Sequence, residues 1–288
     1  MNYQKNEIIK KIELNPTVTK MDIYAPLIAK KAEPGEFIIL RVCENGERIP
    51  LTIAGYDRQN GTISIIFQIV GATTMKLNAL NEKDIICDLV GPLGKKTELD
   101  GLKKVAIVGG GVGCAIAYPI AKKLHEMGAI VHSIIGFRNK ELVILEEEFK
   151  DVSTELYLMT DDGSYKNKGL VTNTLEKLIL AGNEYDEVIA IGPLIMMKFV
   201  TMITKKYNVK TIVSMNPIMI DGTGMCGGCR LTVSNKVKFA CVDGPDFDGF
   251  EVDFDEAISR NKSYHEFETS AKEKTCNLLK KGIEKDES

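Results

Sequence analysis

Short apolar runs separated by polar turns fill the first third of the chain. Glu7–Leu14, Val18–Tyr24, Phe37–Val42, Pro50–Tyr56, Thr62–Val70 and Asp84–Leu89 are rich in Ile, Val, Leu, Phe and Thr, the residues that favour strands. Asn45-Gly46 and Asn60-Gly61 fall between consecutive runs. Asn-Gly supplies the positive φ angles that tight hairpins use, so the pattern predicts antiparallel pairing. Six such strands predict a small closed barrel over residues 1–98.

From about residue 99 the period changes, and runs of strand length alternate with longer helical stretches. The predicted strands are Lys104–Val108, Ile130–Ile135, Glu155–Met159, Glu187–Ile191 and Thr211–Ser214. This alternation is the signature of βαβ units around a parallel sheet, here over residues 99–215. The first helix is expected to begin near Gly113 and to stop at Gly128, a natural left-handed cap. Beyond residue 216 the pattern gives way to a Gly- and Cys-rich loop. A hairpin of Arg230–Val233 and Val237–Cys241 follows, then a charged helical tail from Asp255 to Ile283. The fold class is therefore an antiparallel β barrel followed by a Rossmann-like α/β domain, with a third unit over residues 216–288.

A chain of 288 residues has room for two cores and a small third module. With 44% hydrophobic and 27% charged residues it is an ordinary globular composition, and a net charge of −3 gives no electrostatic reason to expect nucleic acid. The longest uncharged run, Val105–Ala121, is interrupted by glycines and a proline and is too short to span a bilayer. The first residues show no apolar stretch after a basic one, so no secretory signal is expected and the cytoplasm is the expected location. Seven cysteines without such a signal point to a reducing compartment and to metal or redox use. Cys43, Cys87, Cys114 and Cys276 lie far apart and read as small apolar side chains.

Three stretches carry chemistry. In Asp221-Gly-Thr-Gly-Met-Cys226-Gly-Gly-Cys229, two cysteines are separated by two residues, and Cys241 follows after eleven more. Thiolates so spaced bind one metal centre, and the glycines let backbone N–H groups turn toward sulfur. One carboxylate and three thiolates also satisfy tetrahedral zinc, and a chance pair in a loop is the bland alternative; spacing does not separate them. In Val105-Ala-Ile-Val-Gly109-Gly-Gly-Val-Gly113 a buried strand enters a glycine turn and then a helix, which brings N–H groups to a phosphate. It departs from the dinucleotide fingerprint, because Cys114 holds the third glycine position and Gly136-Phe137-Arg138 stands where an acidic residue is usual. NADH and NADPH are not distinguished at this level. Arg48-Ile-Pro-Leu-Thr52, with Phe67-Gln68 and Gly71-Ala-Thr73-Thr74, offers a guanidinium, hydroxyls and N–H groups for a pyrophosphate; a plain strand with a surface Arg is the alternative.

The order of these three sites resembles that of the ferredoxin–NADP+ reductase-like superfamily, and the resemblance covers nearly the whole chain. Within it the chain resembles the electron-transfer subunits of dihydroorotate dehydrogenase. It resembles more closely the small-subunit family of NADH-dependent reduced ferredoxin:NADP+ oxidoreductase, also called sulfide dehydrogenase. The matching stretches are Arg48-Ile-Pro-Leu-Thr52, Gly91-Pro-Leu-Gly94, Gly109-Gly-Gly-Val-Gly113, Thr160-Asp-Asp-Gly-Ser164, Gly192-Pro193 with Met196-Met197, and Cys241-Val-Asp-Gly-Pro245.

The resemblance implies an FAD against Pro50, Leu51 and Thr52, with Thr52 near N5 and Ile66, Phe67 and Gln68 flanking. Gly71, Thr73 and Thr74 would hold its pyrophosphate. The usual Arg before the proline is Ile49 here, which passes its phosphate contact to Arg48. Gly110, Gly111, Val112, Gly113, Arg138, Thr160, Asp161, Gly192 and Pro193 would line a site for NAD(H) or NADP(H). Where the dihydroorotate dehydrogenase subunit supplies four cysteines, Asp221 occupies the first position, so the implied [2Fe–2S] ligands are Asp221, Cys226, Cys229 and Cys241. That departure favours the ferredoxin:NADP+ oxidoreductase small subunits.

The implied activity is hydride transfer from a nicotinamide to flavin, then one-electron transfer to the cluster, with no protein general base. A larger FAD- and [4Fe–4S]-bearing flavoprotein subunit would receive the electrons. Through that complex NADH and reduced ferredoxin would be coupled to NADP+ by electron bifurcation or its reverse. A dihydroorotate dehydrogenase subunit, a self-contained NAD(P)H reductase for a diffusible acceptor and a non-enzymatic zinc module are the alternatives.

Overall fold

The computed structural model describes residues 3–286. Residues 1–2 of the expected barrel unit and 287–288 of the expected third unit lie outside the described residues. The first six strands are β1 (Ile8–Asn15), β2 (Val18–Tyr24), β3 (Phe37–Arg41), β4 (Arg48–Asp57), β5 (Thr62–Gln68) and β6 (Asp88–Leu93), with helices α1 (Pro26–Ala29) and α2 (Ala72–Asn78) between them. They pair antiparallel in the order β1-β2-β5-β4-β3-β6.

The sheet curls back on itself. Ile8 donates its N–H to the Asp84 carbonyl (2.9 Å), Ile86 donates to Asn6 (3.0 Å), and Glu7 bridges Ile85. Alternate residues Ile63, Ile65 and Phe67 of β5 point into a core shared with Met21, Ile38 and Leu40. Each such side chain contributes roughly 1.5–3 kcal/mol when fully buried. Ile66, on the opposite face, is also buried, because it packs with Val18 and Ala54 against the next domain.

That domain contains β7 (Lys104–Gly110), α3 (Gly113–Glu126), β8 (Ile130–Phe137), α4 (Glu146–Val152), β9 (Glu155–Thr160), β10 (Asn167–Lys168), α5 (Val171–Leu180), β11 (Glu187–Ile191), α6 (Leu194–Lys206) and β12 (Thr211–Ser214). The remaining elements are β13 (Arg230–Val233), β14 (Lys236–Phe239), α7 (Ala240–Asp243), β15 (Asp246–Asp248), α8 (Phe254–Asn261) and α9 (His265–Asp286). The sheet order β10-β9-β8-β7-β11-β12-β15 is parallel except for β15. α3 and α4 cover one face of the sheet, and α5 and α6 cover the other. The core on the second face runs continuously from Phe37 and Ile39 of the barrel to Cys229 and Cys241. No helix among the described residues is long and apolar enough to cross a membrane.

Several local expectations shift. The sixth strand was expected at Asp84–Leu89 and forms at Asp88–Leu93, because residues 84–86 are taken up in closing the barrel against Asn6–Ile8. Asn45-Gly46 has no positive φ; that turn closes by the Gly46 N–H donating to the Cys43 carbonyl, whereas Gly61 does adopt φ 65°. A two-residue hairpin turn with both residues left-handed occurs instead at Ser234 and Asn235, between β13 and β14. The expected strand Val237–Cys241 becomes β14 and α7, and the tail is two helices rather than one. The expected stop of α3 holds: Gly128 follows its end at φ 82°.

Candidate functional site

Three groups of residues lie around the junction of barrel, parallel sheet and cysteine loop. On the barrel, Arg48 opens β4 and is exposed, while Pro50, Leu51 and Thr52 are half-buried along it, paired with Ile39, Ile38 and Phe37 of β3. Thr73 is buried and its hydroxyl donates to Glu47 (3.1 Å), which draws the start of α2 to the start of β4 beside Arg48. The Thr74 hydroxyl accepts the N–H groups of Val70 (3.1 Å) and Gly71 (3.0 Å), so it builds the turn into α2. Phe67 is 2% exposed, within the barrel core, so its side chain serves packing; Gln68 is half-buried at the strand end. Glu47 was not foreseen, and no pattern in the sequence signals it.

The second group lies at the carboxyl ends of the parallel strands, where the sheet order reverses between β7 and β11 and where α/β folds bind ligands. Gly111 turns left-handed (φ 56°) and donates its N–H to the Gly136 carbonyl at the end of β8 (2.8 Å). A Cβ on Gly113 would lie 2.5 Å from the Ile191 carbonyl oxygen and 2.7 Å from Gly192 Cα, so Val112-Gly113 and Gly192-Pro193 meet main chain to main chain. Met196 spans both turns: Cβ atoms on Gly110 and Gly192 would come within 2.5 Å of its Sδ and 2.9 Å of its Cε.

On the other side of β8, Asp161 and Asp162 donate their N–H groups to the Phe137 and Arg138 carbonyls (3.0 and 3.2 Å). The main chain just after β9, which carries Asp161 and Asp162, thus runs alongside Phe137 and Arg138 at the end of β8. The Thr160 side chain is turned away, exchanging hydrogen bonds with Tyr165 and folding the loop. Asp162 and Met196 were missing from the sequence-derived set, although both fall within stretches that carried the resemblance. Cys114 is fully buried, and burial pushes its thiol far above the ordinary range, which suits an apolar role.

The third group is the cysteine loop. Gly222, Gly224 and Gly227 are left-handed, wrapping the chain around Cys226. Cys229 and Cys241 are buried with sulfurs 3.2 Å apart, while Cys226 is exposed and its sulfur accepts the Gly228 N–H at 3.5 Å. Burial above all, with the Cys229 sulfur beside it, pushes the Cys241 thiol up to about 12. Asp221 accepts the N–H groups of Thr223 (2.9 Å) and Cys226 (2.8 Å), which hold its carboxyl below the usual carboxylate range.

Among the described residues no three His, Cys, Asp or Glu side chains are gathered at metal-ligating distance. The donor set nevertheless fits an iron–sulfur centre. It offers thiols from one tight loop and from the start of α7, a carboxylate held ionised, and N–H groups directed at sulfur, as at Cys241 N–H to Cys229 Sγ (3.5 Å). Around this loop Ile220, Val242 and above all Met225, 88% exposed, present apolar surface.

The chain is similar to known proteins over most of its length. Residues 216–253 match the family described as the iron-sulfur cluster binding domain of dihydroorotate dehydrogenase B. A Thermotoga maritima protein described as a dihydroorotate dehydrogenase B (NAD(+)) electron transfer subunit homolog is 47% identical, over 91% of this chain and 93% of its own length. The dihydroorotate dehydrogenase B (NAD(+)) electron transfer subunit of Streptococcus pneumoniae is 31% identical over 84% of this chain and 94% of its own. A chain in the structure of an NADH-dependent reduced ferredoxin-NADP oxidoreductase, solved for insight into flavin-based electron bifurcation, superposes with a TM-score of 0.90. It is 45% identical, with 95% of this chain and 98% of that one covered.

Proposed function

The chain belongs to the family of dihydroorotate dehydrogenase B electron-transfer subunits, and from that premise we propose that it carries electrons between NAD(H), FAD and a [2Fe–2S] cluster. It delivers them to a larger flavoprotein subunit bearing FAD and [4Fe–4S] clusters, in NADH-dependent reduced ferredoxin:NADP+ oxidoreduction, with ferredoxin engaged through the complex. The observation that carries this reading is the seating of the cysteine loop on the barrel. The loop rests on β3 and β6, one strand away from Pro50–Thr52 of β4. Adjacent strands are about 4.8 Å apart, so the two sites are neighbours rather than separate functions on one chain.

FAD when bound supplies a hydride acceptor that releases single electrons, and the cluster supplies a one-electron carrier. The chain's own residues bind, orient and exclude water. Arg48, Gly71, Thr73 and Thr74 hold the flavin's diphosphate beside α2, and Pro50, Leu51 and Thr52 form the half-buried strand that its ring system covers. Ile66, Phe67 and Gln68 support that strand from β5. The glycine turn Gly110–Gly113, Gly192-Pro193, Arg138, Asp161 and the main chain at Thr160 line the site for NAD(H). Asp221, Cys226, Cys229 and Cys241 hold the cluster. No side chain is required to move a proton between these sites.

The exposed side chains of Met225, Ile220 and Val242 around the cysteine loop are the surface assigned to the partner. A reducing, cytoplasmic setting goes with seven unpaired cysteines. Anaerobic purification with flavin, iron and sulfide analysis tests the reading. It expects about one FAD and about two iron atoms per chain, and NADP+ reduction only when the larger subunit is present. Colourless, zinc-containing protein without flavin refutes it.

A further inference from the structure

We propose that Gly222 is a positioning residue that sets the gap between the flavin barrel and the cysteine loop, an inference that rests on the functional reading above. A Cβ at Gly222 would lie 2.6 Å from Leu93 Cδ1 and 3.1 Å from Ile39 Cγ1. Ile39 lies on β3 and pairs with Pro50 of the flavin strand on one side and with Val90 of β6 on the other. The main chain next to Asp221 therefore rests directly on the barrel, with no side chain of its own in between.

The other glycines of the loop answer a different demand. Gly224 (φ 84°) and Gly227 (φ 66°) are left-handed like Gly222 (φ 75°), but added Cβ atoms there would meet only Val242 at 3.3 Å and Phe239 at 3.9 Å, both within the same segment. An asparagine satisfies a left-handed turn at modest cost, so the turn alone does not call for glycine at 222; the barrel contact does. A second contact fixes the far end of the same segment. Lys95 donates its N–H to the Gly244 carbonyl (2.7 Å), and a Cβ on Gly94 would lie 3.1 Å from Pro245 Cδ. Cys226, Cys229 and Cys241 all fall between these two anchors. A methyl group at Gly222 wedges one anchor open while the other stays shut, tilting the loop away from β3 without removing any ligand.

The test uses the chain in complex with its larger subunit, as Gly222→Ala, Gly224→Ala and Gly222→Ala/Leu93→Ala. Flavin and iron content, the cluster's EPR spectrum, amide hydrogen exchange over residues 218–228, and the stopped-flow rate of cluster reduction after NADH addition are measured. Gly222→Ala keeps its FAD, iron and EPR spectrum. It loses exchange protection across the loop, and cluster reduction slows by about tenfold, a scale consistent with ångström-level misplacement. Both losses exceed those in Gly224→Ala, which carries the backbone strain alone, and Leu93→Ala in the same chain reverses them by making room for the methyl. Loss of protection and rate no greater than in Gly224→Ala, or no relief from Leu93→Ala, overturns the proposal. So does outright loss of the cluster, which would mean that Gly222 shapes the cluster pocket itself rather than its distance from the barrel. Wild-type complex lacking FAD or cluster instead sinks the functional reading beneath it.

Discussion

Gly113→Ala adds one carbon where two turns of main chain meet. The position is not left-handed, so alanine meets no backbone strain there, and as the first residue of α3 it gains at most the roughly 0.5–1 kcal/mol that alanine gains over glycine inside a helix. Against this, the new Cβ would stand 2.5 Å from the Ile191 carbonyl oxygen, about 0.9 Å inside the 3.4 Å at which ordinary contact begins. Its other nearest neighbours, Gly192 Cα and Ile191 C, are also main chain and cannot rotate aside. Ile191 is held in the sheet by pairing with Gly109, so α3 must withdraw and loosen the packing of its buried face. Overpacking of this kind costs about 1–3 kcal/mol, so the clash outweighs the helix preference and a net loss of about 1–2 kcal/mol is expected. The same movement parts Gly113 from Gly192-Pro193, and NADH affinity should fall about tenfold. Urea unfolding followed by circular dichroism, with calorimetric NADH titration, checks both. A variant with wild-type unfolding midpoint and affinity would refute the reasoning.

Glu187 is 1% exposed, and burial raises its pKa despite the Lys210 ammonium 2.5 Å away. Its folded pKa therefore lies above the unfolded value of 4.5, and its contribution to stability is complete below that pH and lost as pH rises through the folded value. The melting temperature of Glu187→Gln relative to wild type should climb across that window; a pH-independent difference counts against the argument. The Tyr185 hydroxyl lies 2.9 Å from His132 Nδ1 in the core, so Tyr185→Phe strands a buried ring nitrogen and should cost about 1–3 kcal/mol by chemical denaturation. Equal stability would mean that the contact carries no weight. Asp221→Cys should keep a cluster of lower midpoint potential and altered EPR spectrum, because thiolate is the softer, more covalent donor. Asp221→Ala should make the cluster labile, and unchanged iron content, spectrum and potential in that variant would exclude ligation.

The parallel strands Glu187–Ile191 and Thr211–Ser214 were legible as short apolar runs because both of their faces are buried, and β5 stands out by the alternation of Ile63, Ile65 and Phe67. The sixth strand was not, since Gly91 and Pro92 read as breakers and Ile85-Ile86 as strand. Those isoleucines belong to the barrel seam, and β6 pairs within the sheet on one side only, through β3, which leaves room for a proline. Three-residue β15 and two-residue β10 are too short to show a period at all. Of the site, the glycine turns and the cysteine loop were legible because left-handed backbone and thiols have few substitutes. Contacts between distant segments, such as Glu47 with Thr73 or Asp162 with Arg138, leave no trace in spacing. Asp221 shows both sides: its Asp-Gly dipeptide reads as a turn, and the turn hydrogen bonds are there.

Anaerobic titration of the purified chain with NADH, followed together by visible absorbance and low-temperature EPR, bears most directly on the passage of electrons from nicotinamide through flavin to cluster. Flavin absorbance should bleach and the EPR signal of a reduced [2Fe–2S] cluster should grow in the same titration, without any partner subunit present. Bleaching of the flavin with no cluster signal at any NADH concentration, or no spectral response to NADH, would contradict it.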